Sequence, residues 1–251
     1  SSMKNASDFL VEVPLLKHDE IITRARQILR EDVFREIYVH DGKRKLMGYI
    51  DMSDALAVTA TKSNVTIEGF TKPIRPVNDT DSLDVVVSCI RENMTSSIPM
   101  VDDQGLIIGG ILLSEIFPVL ITRGKVRGRV DEFMSEKVIT CTSDEPVSKI
   151  HTLIIDSGFY AFPVVKKKKI VGIVSRRDLL KDGRWRSSVD GTSPTPVENI
   201  MTTPAFTVSP DEDVQYAADL LVRHDVSRLP VVEGDRVVGI LDRHDVLDSM
   251  H

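Results

Sequence analysis

Apolar positions along this chain follow one pattern four times over. Each round has a five-residue apolar run: "EIYVH" at 36–40, "SIPMV" at 97–101, "AFPVV" at 161–165 and "RLPVV" at 228–232. Turn-forming or charged residues follow ("HDGKRK", "DDQG", "KKKK", "EGDR"), and then a second apolar run opening on a glycine. Two apolar runs flanking a short polar turn predict a β-hairpin. Upstream of each hairpin the spacing changes to three and four residues, as in Val214, Ala217, Ala218, Leu221 and Val222 after the acidic "SPDED". That period predicts a helix, with equivalents near 18–30, 80–93 and 146–156. Extended pieces such as "VITCT" and "AFTVS" lead into the later copies.

The glycines of the second runs stand at 48, 109, 172 and 239, intervals of 61, 63 and 67 residues. A fixed period of this size marks an internal repeat, here strand–helix–strand–strand–helix. A unit of about 60 residues leaves a sheet face half exposed and gains stability against a neighbour. The pattern therefore predicts an α/β (α+β) fold of four tandem copies, the first pairing with the second and the third with the fourth. The pairs should cover residues 3–124 and 125–251. Between copies three and four, residues 182–196 ("DGRWRSSVDGTSPTP") have the Gly, Ser and Pro content of a linker. Trp185, with Arg184 and Arg186 beside it, could instead fold over a ligand.

After each glycine comes a stretch that carries candidate chemistry. "GIVSRRDLL" (172–180) and "GILDRHDVL" (239–247) are strong copies, and "GYIDMSDAL" (48–56) and "GGILLSEIF" (109–117) weaker ones. Ser175 with Asp178, Asp51 with Asp54 and Asp242 with Asp245 have the spacing of a capping box at a helix start. Copy two keeps only Glu115, with Leu112 at the cap. Capping does not account for the two residues in between, Arg176 and Arg177 in copy three and Arg243 and His244 in copy four. A helix N-terminus carries about half a positive charge, so each cation there costs roughly 0.3–1 kcal/mol. An anion held by the helix start and the guanidinium groups would offset that cost. A carboxylate across the pair, meeting Arg176 or Arg243, would offset it too.

The repeat, the "hPVV" strand and the G-h-h-[ST/D]-x-x-D stretch resemble the CBS domain, which commonly occurs in pairs called Bateman modules. The likeness runs from about Val11 to the C-terminus, an arrangement similar to that of stand-alone CBS proteins, and is weakest in copy one, where Tyr38 replaces the proline. In nucleotide-binding members the closing Asp accepts hydrogen bonds from ribose hydroxyls, which implies that role for Asp178 and Asp245. The Ser/Thr position meets ribose or phosphate, implying Ser175. Asp242 departs from it, and its carboxylate would repel phosphate. Adenine lies between the first strand and the residues before the proline. That implies Thr140 and Cys141 with Tyr160 and Ala161 in copy three. In copy four it implies Ala205, Phe206 and Thr207 with Ser227 and Arg228. In the N-terminal pair, Asp51 and Asp54 mark a weaker site or a purely structural one. The resemblance thus implies a non-enzymatic regulatory sensor of an adenine nucleotide (AMP, ADP, ATP or S-adenosylmethionine) that pairs as a homodimer and acts on an unidentified protein target. An interaction scaffold with vestigial sites is the alternative.

Composition trims the other possibilities. Of 251 residues, 41% are hydrophobic and 28% charged, the balance of a folded globular chain. The net charge of −6 gives no general attraction for nucleic acid. The one dense basic run, Lys166–Lys169, reads as a solvated hairpin turn. Cys89 and Cys141 have no partner at zinc spacing, and the six histidines form no metal pair. No cofactor or metal is expected. No uninterrupted apolar stretch reaches the roughly 18 residues of a membrane span, and no signal peptide is evident, so a cytoplasmic protein is expected.

Overall fold

The computed structural model describes residues 5–31, 34–58, 64–182 and 195–250. The chain divides into two compact units, Ser1–Ile116 and Phe117–His251. The strand–helix–strand–strand–helix repeat appears four times along the chain, its first strand reduced in copy four.

In copy one, β1 (Leu15–Lys17) pairs in parallel with β2 (Glu36–His40), and β2 pairs antiparallel with β3 (Leu46–Asp51). The helix α1 (Ile22–Glu31) joins the first two strands and α2 (Met52–Ala57) follows the third. Copy two repeats this with β4 (Val77–Asn78), α3 (Leu83–Asn93), β5 (Ser97–Val101), β6 (Ile107–Leu112) and α4 (Leu113–Arg123). The division between the units falls inside α4. Copy three has β7 (Cys141–Thr142), α5 (Val147–Ser157), β8 (Ala161–Lys166), β9 (Lys169–Ser175) and α6 (Arg176–Lys181). Copy four has α7 (Val214–Arg223), β10 (Arg228–Glu233), β11 (Arg236–Asp242) and α8 (Arg243–Asp248). Its first strand is reduced to one parallel bridge, Val208 to Val231. Of the five residues that set the helix spacing, Val214, Ala217, Ala218 and Leu221 of α7 are fully buried, while Val222 turns out of that face and is exposed. Lys166–Lys169 is the hairpin turn between β8 and β9, with Lys167 and Lys168 at positive φ.

Each copy also begins with a short helical turn that the sequence pattern did not announce: Ala6–Phe9, Ile67–Phe70, Val130–Phe133 and Val197–Asn199. Its first residue (Ala6, Ile67, Val130, Val197) is fully buried each time. Just beyond the turn the chain runs along the hairpin of the other copy in its unit. Val11 makes a two-hydrogen-bond bridge with Gly110, Lys72 with Tyr49, Ser135 with Ile240 and Thr202 with Ile173. Copies one and two thus exchange edge contacts, and so do three and four.

This crossing explains the repeated glycine. A Cβ on Gly109, Gly172 or Gly239 would sit 2.6–2.8 Å from the carbonyl oxygen of Val11, Thr202 or Ser135, and one on Gly48 would strike that of Lys72. Only hydrogen fits between the two backbones. Opposite each glycine the hairpin register slips, at Val39/His40, Met100/Val101, Val164/Val165 and Val231/Val232. A bulge there adds local twist. No described helix is long and apolar enough to cross a membrane.

Candidate functional site

In the C-terminal unit the hairpin registers set the expected residues beside one another. Ala161 lies opposite Ser175, and Arg228 opposite Asp242. Each pair joins the first residue of one strand to the cap of the helix that follows the next. Ser175 Oγ accepts from the Asp178 amide at 3.2 Å, while Asp178 Oδ2 accepts from the Ser175 amide at 2.9 Å and its hydroxyl at 3.0 Å. The capping box is therefore complete. Among the described residues only Oδ2 is engaged, and Asp178 Oδ1 accepts no hydrogen bond. Burial raises the Asp178 carboxyl above its ordinary range, and the bonds from Ser175 work against that.

Copy four closes the same box with two carboxylates. Asp242 Oδ1 accepts from the Asp245 amide and Asp245 Oδ2 from the Asp242 amide, both at 2.9 Å. Burial, and then the charge of Asp242, push Asp245 up to about 8. Near neutral pH Asp245 is thus protonated and presents a poorer acceptor than Asp178.

The cations between cap and acid are arranged differently from the sequence expectation. Arg176 is only 4% exposed. Its guanidinium donates to the carbonyls of Phe159, at 2.9 Å, and Gly158, and lies 3.9 Å from the centre of the Tyr160 ring. Gly158 is the left-handed C-cap of α5, so Arg176 sits at the negative end of that helix. The cost of a cation at the α6 N-terminus is offset by the C-terminus of α5 and a ring face. Arg243 lies 3.4 Å from the exposed Asp225 carboxylate and 5.8 Å from the Phe117 ring, so a carboxylate of its own copy meets it. Arg177 and His244 are half-buried, and Arg177 contributes its charge to Asp178.

Tyr160 is the meeting point. Besides Arg176 of its own copy, the Arg228 guanidinium of copy four stands 4.8 Å from its ring centre and donates to Ser227 Oγ at 3.2 Å. Two guanidinium groups from two copies converge on one ring beside the β8 start. Thr140 stands apart from this group. It lines a cavity of about 440 Å³ with Val165, Lys168, Asp235, Arg236 and Val237, at the hairpin-turn end of the unit. Cys141 is buried and its thiol is pushed up to about 12 by that burial, so it remains an inert core residue. Ala205 and Thr207 are half-buried. Phe206 stacks on His224, a residue the sequence did not single out, with centroids 3.7 Å apart and planes 8° from parallel. Its face toward that side is taken by imidazole rather than open to a base. Arg184, Trp185 and Arg186 lie outside the described residues.

The N-terminal unit fills the corresponding positions with its own side chains. At copy one, the Lys72 ammonium is 2.7 Å from Asp54 and 3.1 Å from Asp51, and 4.8 Å from the Tyr49 ring centre. Burial works against ionising Asp51, but Lys72 and the Ser53 hydroxyl outweigh it and hold this carboxyl low. Burial and the Asp51 charge leave Asp54 raised. Between copies one and two, Tyr38 Oη donates to Ser97 Oγ at 2.6 Å, and Ser97 Oγ donates to Glu36 at 2.7 Å. Glu36 and Ser97 begin their strands as Ala161 and Arg228 do, opposite the helix-start residues Asp51 and Leu112. Tyr38, which breaks the proline pattern, is thus the donor of a buried inter-copy chain. Burial pushes Glu36 up to about 7, against the pull of Ser97.

The repeat, its reciprocal pairing and the acid at each late helix define a tandem CBS-domain architecture. The model of the CBS domain family matches residues 130–183 and 197–251, which are copies three and four. By sequence it is similar to protein MJ1225 of Methanocaldococcus jannaschii, 22% identical over 90% of this chain and 91% of that protein. The crystal structure of MJ1225 superposes with a TM-score of 0.81 at 19% identity, over 98% of this chain and 99% of that one, so the fold is shared throughout. Protein MJ0188 of the same organism is 34% identical over 48% of this chain and 43% of its own length. The inosine-5'-monophosphate dehydrogenase of Korarchaeum cryptofilum is 30% identical over 50% of this chain but only 25% of the enzyme. The chain therefore spans less than half the length of these last two.

Proposed function

We propose that the C-terminal unit is a non-enzymatic regulatory site for an adenine nucleotide. The observation that carries this is the convergence of Arg176 and Arg228, from two copies, on Tyr160 beside the Asp178 helix start. Arg176, held by carbonyls, shapes the site. Arg228 supplies charge toward a phosphate, and Asp178 Oδ1 supplies an acceptor for a ribose hydroxyl. A ligand touching both copies would favour one mutual arrangement of the two over others, which is how a binding event becomes a signal.

Thermal shift and calorimetry with AMP, ADP, ATP and S-adenosylmethionine test the proposal. At a hundred times its Kd, a ligand that binds only the folded chain adds about 2.7 kcal/mol of stability. Asp178→Ala and Arg228→Ala are each expected to weaken the responding ligand at least tenfold. No response to any of the four, on protein freed of bound nucleotide, refutes the site. The alternative, a scaffold with vestigial sites, is favoured by the self-occupied acids of copy one. A partner captured equally by wild type and Asp178→Ala, with or without nucleotide, would select it.

A further inference from the structure

We propose that Lys72 is a built-in occupant of the copy-one acid pair and excludes a ribose-bearing ligand from the N-terminal unit. The proposal rests on the role given above to the closing acid of the repeat. Lys72 is fixed from both sides. Its backbone exchanges two 2.9 Å hydrogen bonds with Tyr49, the residue after the repeated glycine. Its ammonium then reaches back to Asp54 and Asp51 across the Tyr49 ring. An ammonium carries three donors, and two of them can meet the same oxygens that a ribose diol would approach. A neutral hydroxyl pair offered in exchange would have to leave the cation without its carboxylates.

The other three copies supply the internal comparison. The residue bridging to the position after the glycine is Val11 for copy two, Thr202 for copy three and Ser135 for copy four. None is charged, so the cation occurs only where copy one presents Asp51 and Asp54 together. Copy four has the same two acids without a lysine and relieves their repulsion with a proton, Asp245 being pushed up to about 8. Copy one relieves it with Lys72. The two copies have solved one electrostatic problem in two ways, and only copy four keeps its acids open to a neutral or protonated guest.

Equilibrium dialysis of the full chain with AMP tests this. In the wild-type background, Asp54→Asn is expected to leave the AMP bound at saturation and its Kd unchanged within twofold, while Asp178→Ala weakens binding at least tenfold. Lys72→Thr, which installs the copy-three residue, is expected to add a further equivalent of AMP that Asp54→Asn removes. Lys72→Gln, which keeps hydrogen-bonding capacity without charge, gives the same gain should the threonine variant fail to fold. Weakening of wild-type binding by Asp54→Asn, or no added AMP in either folded Lys72 variant, overturns the assignment. Absence of AMP binding from the wild-type chain overturns the C-terminal site instead, and the Lys72 variants still report on copy one by gain alone.

Discussion

Glu36→Gln should stabilise the protein above neutral pH, although it removes half of a buried hydrogen-bonded charge network. Glu36 is 2% exposed and takes a hydrogen bond from Ser97, which in turn takes one from Tyr38. Burial lifts its carboxyl from the ordinary 4.5 to about 7. At about 1.4 kcal/mol for each pH unit, that displacement corresponds to roughly 3 kcal/mol. The folded chain binds this proton more tightly than the unfolded chain, so the associated stability is fully present below about pH 4.5. It declines as pH rises and is gone above about 7. Glutamine mimics the protonated acid: its carbonyl still accepts from Ser97, and no charge is buried. Wild type and variant should therefore be similar near pH 4.5 and diverge as pH rises, with the variant more stable by up to about 3 kcal/mol at pH 8. Urea unfolding followed by circular dichroism at several pH values measures it; with a slope of about 1–3 kcal/mol/M the midpoint moves by 1 M or more. A variant less stable than wild type at pH 8, by an amount that does not change between pH 5 and 8, refutes the argument.

The two arginines at Tyr160 should separate by readout. Arg176→Ala removes a buried guanidinium that donates to the Phe159 and Gly158 carbonyls and is expected to cost about 1–3 kcal/mol in a thermal melt, whereas Arg228→Ala leaves the melting temperature within a degree or two and lowers AMP affinity. Asp178 accepts a ribose hydroxyl best when ionised, so AMP affinity should fall as pH drops through its raised pKa, and calorimetry at pH 5 and pH 8 would show it; a flat profile removes Asp178 from the contact. Gly172→Ala puts a methyl against the Thr202 carbonyl oxygen, 2.7 Å away, and should destabilise the C-terminal unit by about 2 kcal/mol or more, read as a lowered urea midpoint. An Asp245→Asn variant should lose the part of the pH dependence that runs from 3.8 up to about 8, since burial and Asp242 raise that group and its favourable contribution is lost as pH rises through that window.

Much of this protein was written locally. The four hairpins, the helix after each and the three capping boxes follow from turn residues, periodicity and the Ser/Asp-x-x-Asp spacing, because each depends on neighbours within a few residues. The pairing of copies one with two and three with four was also legible, since a half-covered sheet face needs a partner. The four opening helical turns carried a signal that could have been read: they recur at the intervals of the glycines, as Ala6, Ile67, Val130 and Val197. Local spacing also showed that Arg176 stands at an unfavourable helix start, but not where its charge goes.

That depended on the third dimension. Arg176 ends at the carbonyls of Phe159 and Gly158, seventeen and eighteen residues away, and Lys72 reaches Asp54 across eighteen. Ser97 reaches Glu36 across sixty-one. Sequence alone determined the repeat, its elements and the acids at the helix starts. The tertiary structure decided which of those acids meet a lysine, a second carboxylate or neither, because an electrostatic partner is chosen by distance through space and by shared burial, and chain spacing encodes neither.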